Sequence, residues 1–238
     1  MLGLQRLHHN LRNRFNVQRH LTSRRTLRKD SSMSDPSDSL VIFLHGVGAN
    51  GADLAPLADT LLPFLPASVF ASPDGPERFD RGGSGRQWFS VAGVTQANRS
   101  ERVQHARVAF DRVVSSEIEK HGFAGRLDRI AFFGFSQGAI MALDAVASGR
   151  WPVRAVVAAS GRLATTPEAK TEHFTKILLM HGENDPVIPA QETRLAAERL
   201  RAAGFEVEAK LYPGLGHVLS AEGVQTAGKF LARQLVHG

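Results

Sequence analysis

Residues 129–145 read "RIAFFGFSQGAIMALDA". The first seven positions are a short, nearly continuous apolar run, the pattern of a strand buried on both faces. From Gln137 onward the apolar residues continue far enough to form a helix over 137–147. Gly134 and Gly138 stand at the junction, with Ser136 between them. A chain that passes from strand to helix in so few residues must turn sharply. The glycines let strand and helix press together, and the serine is held in strained backbone with its Oγ exposed. The Gln137 amide then opens the helix, where unpaired N–H groups and the dipole favour a developing negative charge. This is the setting of a nucleophile elbow. A chain with 22 glycines also contains ordinary turns with a serine in them, so GFSQG needs support from elsewhere.

The same alternation runs through the rest of the chain. Short apolar runs predict strands over 40–44, 68–71, 129–135, 154–159 and 176–180, and an alternating run predicts another over 205–212. Helical patterns fall over 52–62, 96–121, 137–147, 190–203 and 221–236, with Gly122 and Gly204 as stops. Residues 72–90 are dense in Gly, Pro and Asp and read as irregular. Strand–helix alternation with crossover-length connections implies an α/β fold: a mostly parallel central sheet with helices on both faces. We read one domain over 38–238, with no large cap domain and no internal linker.

Parallel sheets place reactive groups at the carboxyl ends of their strands, and three further motifs sit at such ends. In "DPVIP", Pro186 and Pro189 stop the sheet and leave Asp185 fixed, able to accept a hydrogen bond from an imidazole; an Asp-Pro turn is the plainer reading. Glu183 and Asp144 are weaker rivals for that role. In "PGLGHV", His217 lies in a glycine-flanked loop before the last helix, as a base or as a surface histidine. The chain order Ser136, Asp185, His217 favours the base, because it is the order of α/β-hydrolases. In "LHGVGANGADL", the loop can bring the Val47 backbone N–H toward the serine as an oxyanion donor. The spacing "GVGANG" also fits a dinucleotide loop, but no acidic residue ends a second strand about 20 residues on and no P-loop lysine is present. His45 and His181 each precede a glycine at a strand end and are expected to brace loops. No metal-ligand pattern and no cofactor site are indicated.

Charge is distributed unevenly. Residues 1–32 carry eight basic residues and one acid, whereas the remainder has 21 basic and 22 acidic residues. A nucleic-acid surface on the domain is therefore not indicated. Residues 1–37 read as a basic N-terminal extension. It lacks the apolar core of a secretory signal, and Met33 stands just before the first strand. An alternative start, a targeting segment and a binding arm all stay open. The absence of cysteine and of an 18-residue apolar run fits a cytoplasmic protein without a membrane span, leaving an organelle-targeting role for 1–32 and a homodimer open.

The motifs "FLHGVGANGADL", "GRQWF", "GFSQGA", "HGENDPVIP" and "GLGH" together resemble the phospholipase/carboxylesterase family of α/β-hydrolases, which includes the acyl-protein thioesterases. The likeness runs from about residue 40 to the C-terminus. It implies Ser136 as nucleophile, His217 as general base and Asp185 as its partner, with the backbone amides of Val47 and Gln137 as oxyanion hole. It also implies a substrate-side role for Trp88 and Phe89, to which Leu163 is added as a candidate contact. The expected activity is hydrolysis of carboxylic esters of small or medium acyl groups through an acyl-enzyme. A thioesterase or lysophospholipase on the same triad, a peptidase, and a non-catalytic binding protein with a basic arm are the alternatives.

Overall fold

The computed structural model describes residues 38–169 and 174–236; the basic extension expected over 1–37 lies outside them. Eight strands are described: β1 (Ser39–Leu44), β2 (Ser68–Ala71), β3 (Glu77–Arg78), β4 (Arg86–Gln87), β5 (Ile130–Phe135), β6 (Ala155–Ala159), β7 (Lys176–Gly182) and β8 (Glu206–Tyr212). Six of them form one sheet in the order β2-β1-β5-β6-β7-β8, with every neighbouring pair parallel. The helices are α1 (Gly51–Leu54), α2 (Leu57–Leu61), α3 (Arg99–Lys120), α4 (Gln137–Ala147), α5 (Gln191–Ala202) and α6 (Ala221–Leu235).

Period-two alternation along the strands divides the core between two faces. Leu40, Ile42 and Leu44 of β1 join a cluster with Phe110 of α3, Met141 of α4 and Leu200 of α5. Val41 and Phe43 join the opposite cluster with Leu54, Leu61, Phe230 and Leu231, from α1, α2 and α6. The sheet is thus covered on both sides, as a parallel sheet requires. No helix among the described residues is long and apolar enough to cross a membrane.

Two local expectations are corrected. The single helix expected over 52–62 is two short ones, because Pro56 has no N–H to donate to the preceding turn and instead stands at the N-cap of α2. The stretch read as irregular holds the antiparallel pair β3–β4, in which Glu77 faces Gln87 and Arg78 faces Arg86. Strands of two residues are too short to leave a periodic signal.

The topology already locates the site. The chain runs outward from β1 to β2, then returns to place β5 on the other side of β1. The carboxyl ends of β1 and β5 therefore flank a switch point, where open α/β sheets leave a crevice. The loop 45–50 and Ser136 are what emerge there.

Helix α4 behind that serine is buried along its whole length, so its one acid, Asp144, must be satisfied internally. Arg107 donates to it through Nε at 3.0 Å and Nη2 at 2.8 Å, Arg150 through Nη1 at 3.0 Å, and the Thr165 hydroxyl at 2.7 Å. This ties α4 to α3 and to the loops after α4 and β6. Asp144→Ala leaves those donors without their acceptor and is expected to cost about 3–5 kcal/mol of stability, measurable by urea unfolding.

Candidate active site

Ser136 has φ 53° and ψ −115°, a conformation L-residues rarely adopt. Several contacts impose it. Its N–H donates to Ala159 O of β6 at 2.9 Å, while its C=O already accepts from Ile140 N at 3.1 Å as α4 begins. A Cβ on Gly138 would overlap the Leu44 carbonyl, and one on Gly134 would lie 2.6 Å from the Ala139 backbone. Both glycines are there for close approach, as the sequence pattern implied.

His217 and Asp185 are brought to this serine. His217 Nε2 lies 2.9 Å from Ser136 Oγ, and its Nδ1 lies 2.6 Å from Asp185 Oδ2. The His217 ring also packs on Phe135, with centroids 5.0 Å apart. Asp185 Oδ1 accepts from the amides of Val187 at 2.8 Å and Ile188 at 2.9 Å. The two readings of "DPVIP" are both fulfilled: one carboxylate oxygen caps the Asp-Pro turn and the other faces the imidazole. Burial pushes the Asp185 carboxyl up, but hydrogen bonds from the Ile188 amide, His217 and the Val187 amide outweigh it and leave its pKa lowered. An ionised carboxylate can only accept, so His217 Nδ1 carries the proton and its Nε2 lone pair faces the Ser136 hydroxyl.

The rival acids stand elsewhere. Glu183 is half-exposed and faces Arg194 at 3.7 Å, and Asp144 is held by its arginines.

The loop after β1 lies over the serine: a Cβ on Gly46 would be 3.3 Å from Ser136 Cβ. Among the described residues neither the Val47 nor the Gln137 backbone N–H has a hydrogen-bond partner. The loop is tightly held. His45 Nε2 accepts from Gly75 N–H at 2.8 Å, which puts its proton on Nδ1, beside Gly46 O at 2.8 Å. Trp88 Nε1 donates to His45 O at 2.9 Å. Gly48 N donates to Arg86 O at 2.8 Å, and the Arg86 guanidinium binds Gly75 O and Pro76 O, each at 2.9 Å. The Gln137 side chain closes the frame: it accepts from Trp88 N at 2.8 Å and donates to Phe89 O at 2.7 Å.

The "GRQWF" motif is therefore a scaffold joining the loop after β1 to the elbow. Trp88 is fully enclosed between His45 and Phe110, so its ring supports the site from behind. Phe89 and Leu163 are also buried, each packed into the cluster that contains Ala139 and Ile140 of α4. Sequence reasoning missed the Gln137 side chain and Arg86. Their partners lie 10 to 49 residues away in the chain, and no local pattern marks them.

His45 and His181 do brace loops, and burial, against their hydrogen bonds to the Gly46 and Ile188 carbonyls, holds both imidazoles below the ordinary 6.5. In the unfolded chain they take up protons as pH falls through that value, while the folded chain resists. The unfolded state then binds more protons, so stability falls with pH below about 6.5, by up to about 1.4 kcal/mol per pH unit for each histidine. Asp185, its carboxyl held below the ordinary 3.8, adds a second loss at still lower pH, where the unfolded chain takes up a proton that the folded chain resists. Urea midpoints should stay nearly level from pH 7.5 to about 6.5 and then decrease down to pH 5.0.

A serine, a histidine and a carboxylate in line at the carboxyl ends of a parallel sheet define the α/β-hydrolase class. The family model described as Phospholipase/Carboxylesterase matches residues 31–235. Esterase YpfH of Escherichia coli (strain K12) is 34% identical over 196 residues, 82% of this chain and 83% of that protein. Acyl-protein thioesterase 1 of Gibberella zeae is 27% identical over 217 residues, 82% of this chain and 90% of its own. The crystal structure of esterase PE8 superposes with a TM-score of 0.72 at 27% identity, covering 84% of this chain and 94% of that one. The chain belongs to the phospholipase/carboxylesterase family.

Proposed function

We propose that this protein hydrolyses carboxylic esters of small or medium acyl groups, with Ser136 as nucleophile, His217 as general base and Asp185 as the group that orients the base. The observation that carries the reading is the unbroken chain Asp185 Oδ2, His217, Ser136 Oγ, at 2.6 and 2.9 Å, ending on a serine held at φ 53°.

His217 Nε2 takes the Ser136 proton as Oγ bonds to the ester carbonyl carbon, and the carbonyl π pair moves onto its oxygen. The free amides of Val47 and Gln137 receive that oxyanion. Collapse of the tetrahedral intermediate expels the alcohol, which leaves with the proton from His217, and an acyl-enzyme remains. Water attacks the acyl carbon while giving a proton to His217. The second collapse releases the acid and returns that proton to Ser136 Oγ. Phe89 and Leu163 are proposed to bound the acyl side.

A fluorophosphonate probe tests the nucleophile. Labelling should be stoichiometric, with the modified peptide containing Ser136; a protein that stays unlabelled would overturn the assignment. A second reading, thioester hydrolysis on the same triad, is favoured by the resemblance to acyl-protein thioesterase 1. Turnover of 4-nitrophenyl esters of increasing chain length, measured against acyl-CoA and lysolipid, separates the two: higher kcat/KM on the short aryl esters supports the carboxylesterase.

A further inference from the structure

The proposed triad acid has a second histidine. His181, at the end of β7, is fully buried, and its Nε2 lies 3.1 Å from Asp185 Oδ2, the oxygen that also faces His217. The same Nε2 lies 2.8 Å from Ile188 O. Both neighbours are acceptors, so Nε2 carries the proton, bonded to Ile188 O with Asp185 Oδ2 beside it. Nδ1 is then an acceptor, and the buried Thr193 hydroxyl in the first turn of α5 lies 2.7 Å from it. With Asp185 Oδ1 taken by two backbone amides and Oδ2 by His217, the carboxylate accepts three hydrogen bonds, and His181 Nε2 stands 3.1 Å from Oδ2.

We infer that His181 is a positioning residue for the reaction, its ring steadied by Thr193, and that its Nε2–H holds Asp185 Oδ2 in line with His217. The inference rests on the triad reading above. The physical need is evident in the geometry. The Oδ1 bonds fix one oxygen but leave rotation about the carboxylate axis resisted only by His217, the group that must be oriented. The His181 N–H supplies an anchor for Oδ2 from the end of β7, a different element from the loop that carries His217. Thr193 matters because its hydroxyl is the partner of Nδ1 and holds the plane of the ring that carries the Nε2–H. Burial favours the neutral ring, and the titratable groups near it are Asp185 and His217, with Arg162 acting on Asp185 from the loop after β6.

The test compares kcat and KM for a 4-nitrophenyl ester across substitutions in the full chain. His181→Leu should lower kcat about 10–100-fold, the scale of an ångström-level misplacement, with KM within about two-fold of wild type. His181→Gln keeps an N–H donor at the position of Nε2 and should recover most of the loss. Thr193→Val, which fills the same volume without the hydroxyl, should lower kcat several-fold, and Thr193→Ser should restore it. The Thr193 pair keeps the test decisive if His181→Leu does not fold. Leu and Gln variants equally impaired, or Thr193→Val with wild-type kcat, would overturn the inference. Activity retained in Ser136→Ala would instead sink the triad reading, which keeps the two failures apart.

Discussion

Ser136→Ala is expected to lower kcat by roughly 10⁴–10⁶-fold and to abolish fluorophosphonate labelling, with little change in stability. The kinetic loss follows from the proposed chemistry: without Oγ there is no acyl-enzyme, and only the two free amides and the bound geometry remain to assist water. The stability change is small because alanine retains the Cβ, so the strain at φ 53° stays as it was. The hydroxyl's one hydrogen bond is to a partly exposed imidazole. Single-turnover measurement on an activated ester, beside thermal unfolding of both proteins, reads the two quantities. A variant that keeps more than a tenth of wild-type kcat would remove Ser136 from the mechanism.

His217→Ala should be nearly as damaging, for a different reason. Ser136, the proposed nucleophile, is still present at φ 53°, but nothing receives its proton. Fluorophosphonate labelling should persist at a rate lowered by several orders of magnitude, where Ser136→Ala shows none. The double variant discriminates further. Residues that act as one unit are not additive, so Ser136→Ala combined with His217→Ala should be no slower than the worse single variant. Multiplied losses would mean that the two side chains contribute independently, contrary to a serine activated by its histidine.

Much of this site could be read from the sequence because its backbone demands are local. A strand that turns into a helix within one residue leaves two glycines beside a serine, and a carboxylate fixed at a strand end leaves prolines behind it. The order of the three motifs then supplied what no single motif could. The remainder depends on long-range contacts that leave no local trace. Gln137 bonds to residues nearly fifty positions earlier, and the enclosure of Trp88 depends on Phe110 of α3. His181 was legible as a brace, four residues before Asp185, but its place between Ile188 O and Asp185 depends on how β7 ends and on the turn that follows it. The break between α1 and α2 was available in principle, since Pro56 stood in view.

The sheet order has one more consequence. His217 hangs from the loop that follows β8, and β8 is the last strand, paired only with β7. Ser136 and Trp88 belong to the middle of the sheet and its deep core. Edges open with less free energy than centres. Activity on heating is therefore expected to last only as long as that margin of the sheet stays attached, while the fluorescence of the buried Trp88 reports on an interior that outlasts it. Heat can make the protein idle well before it makes it unfolded.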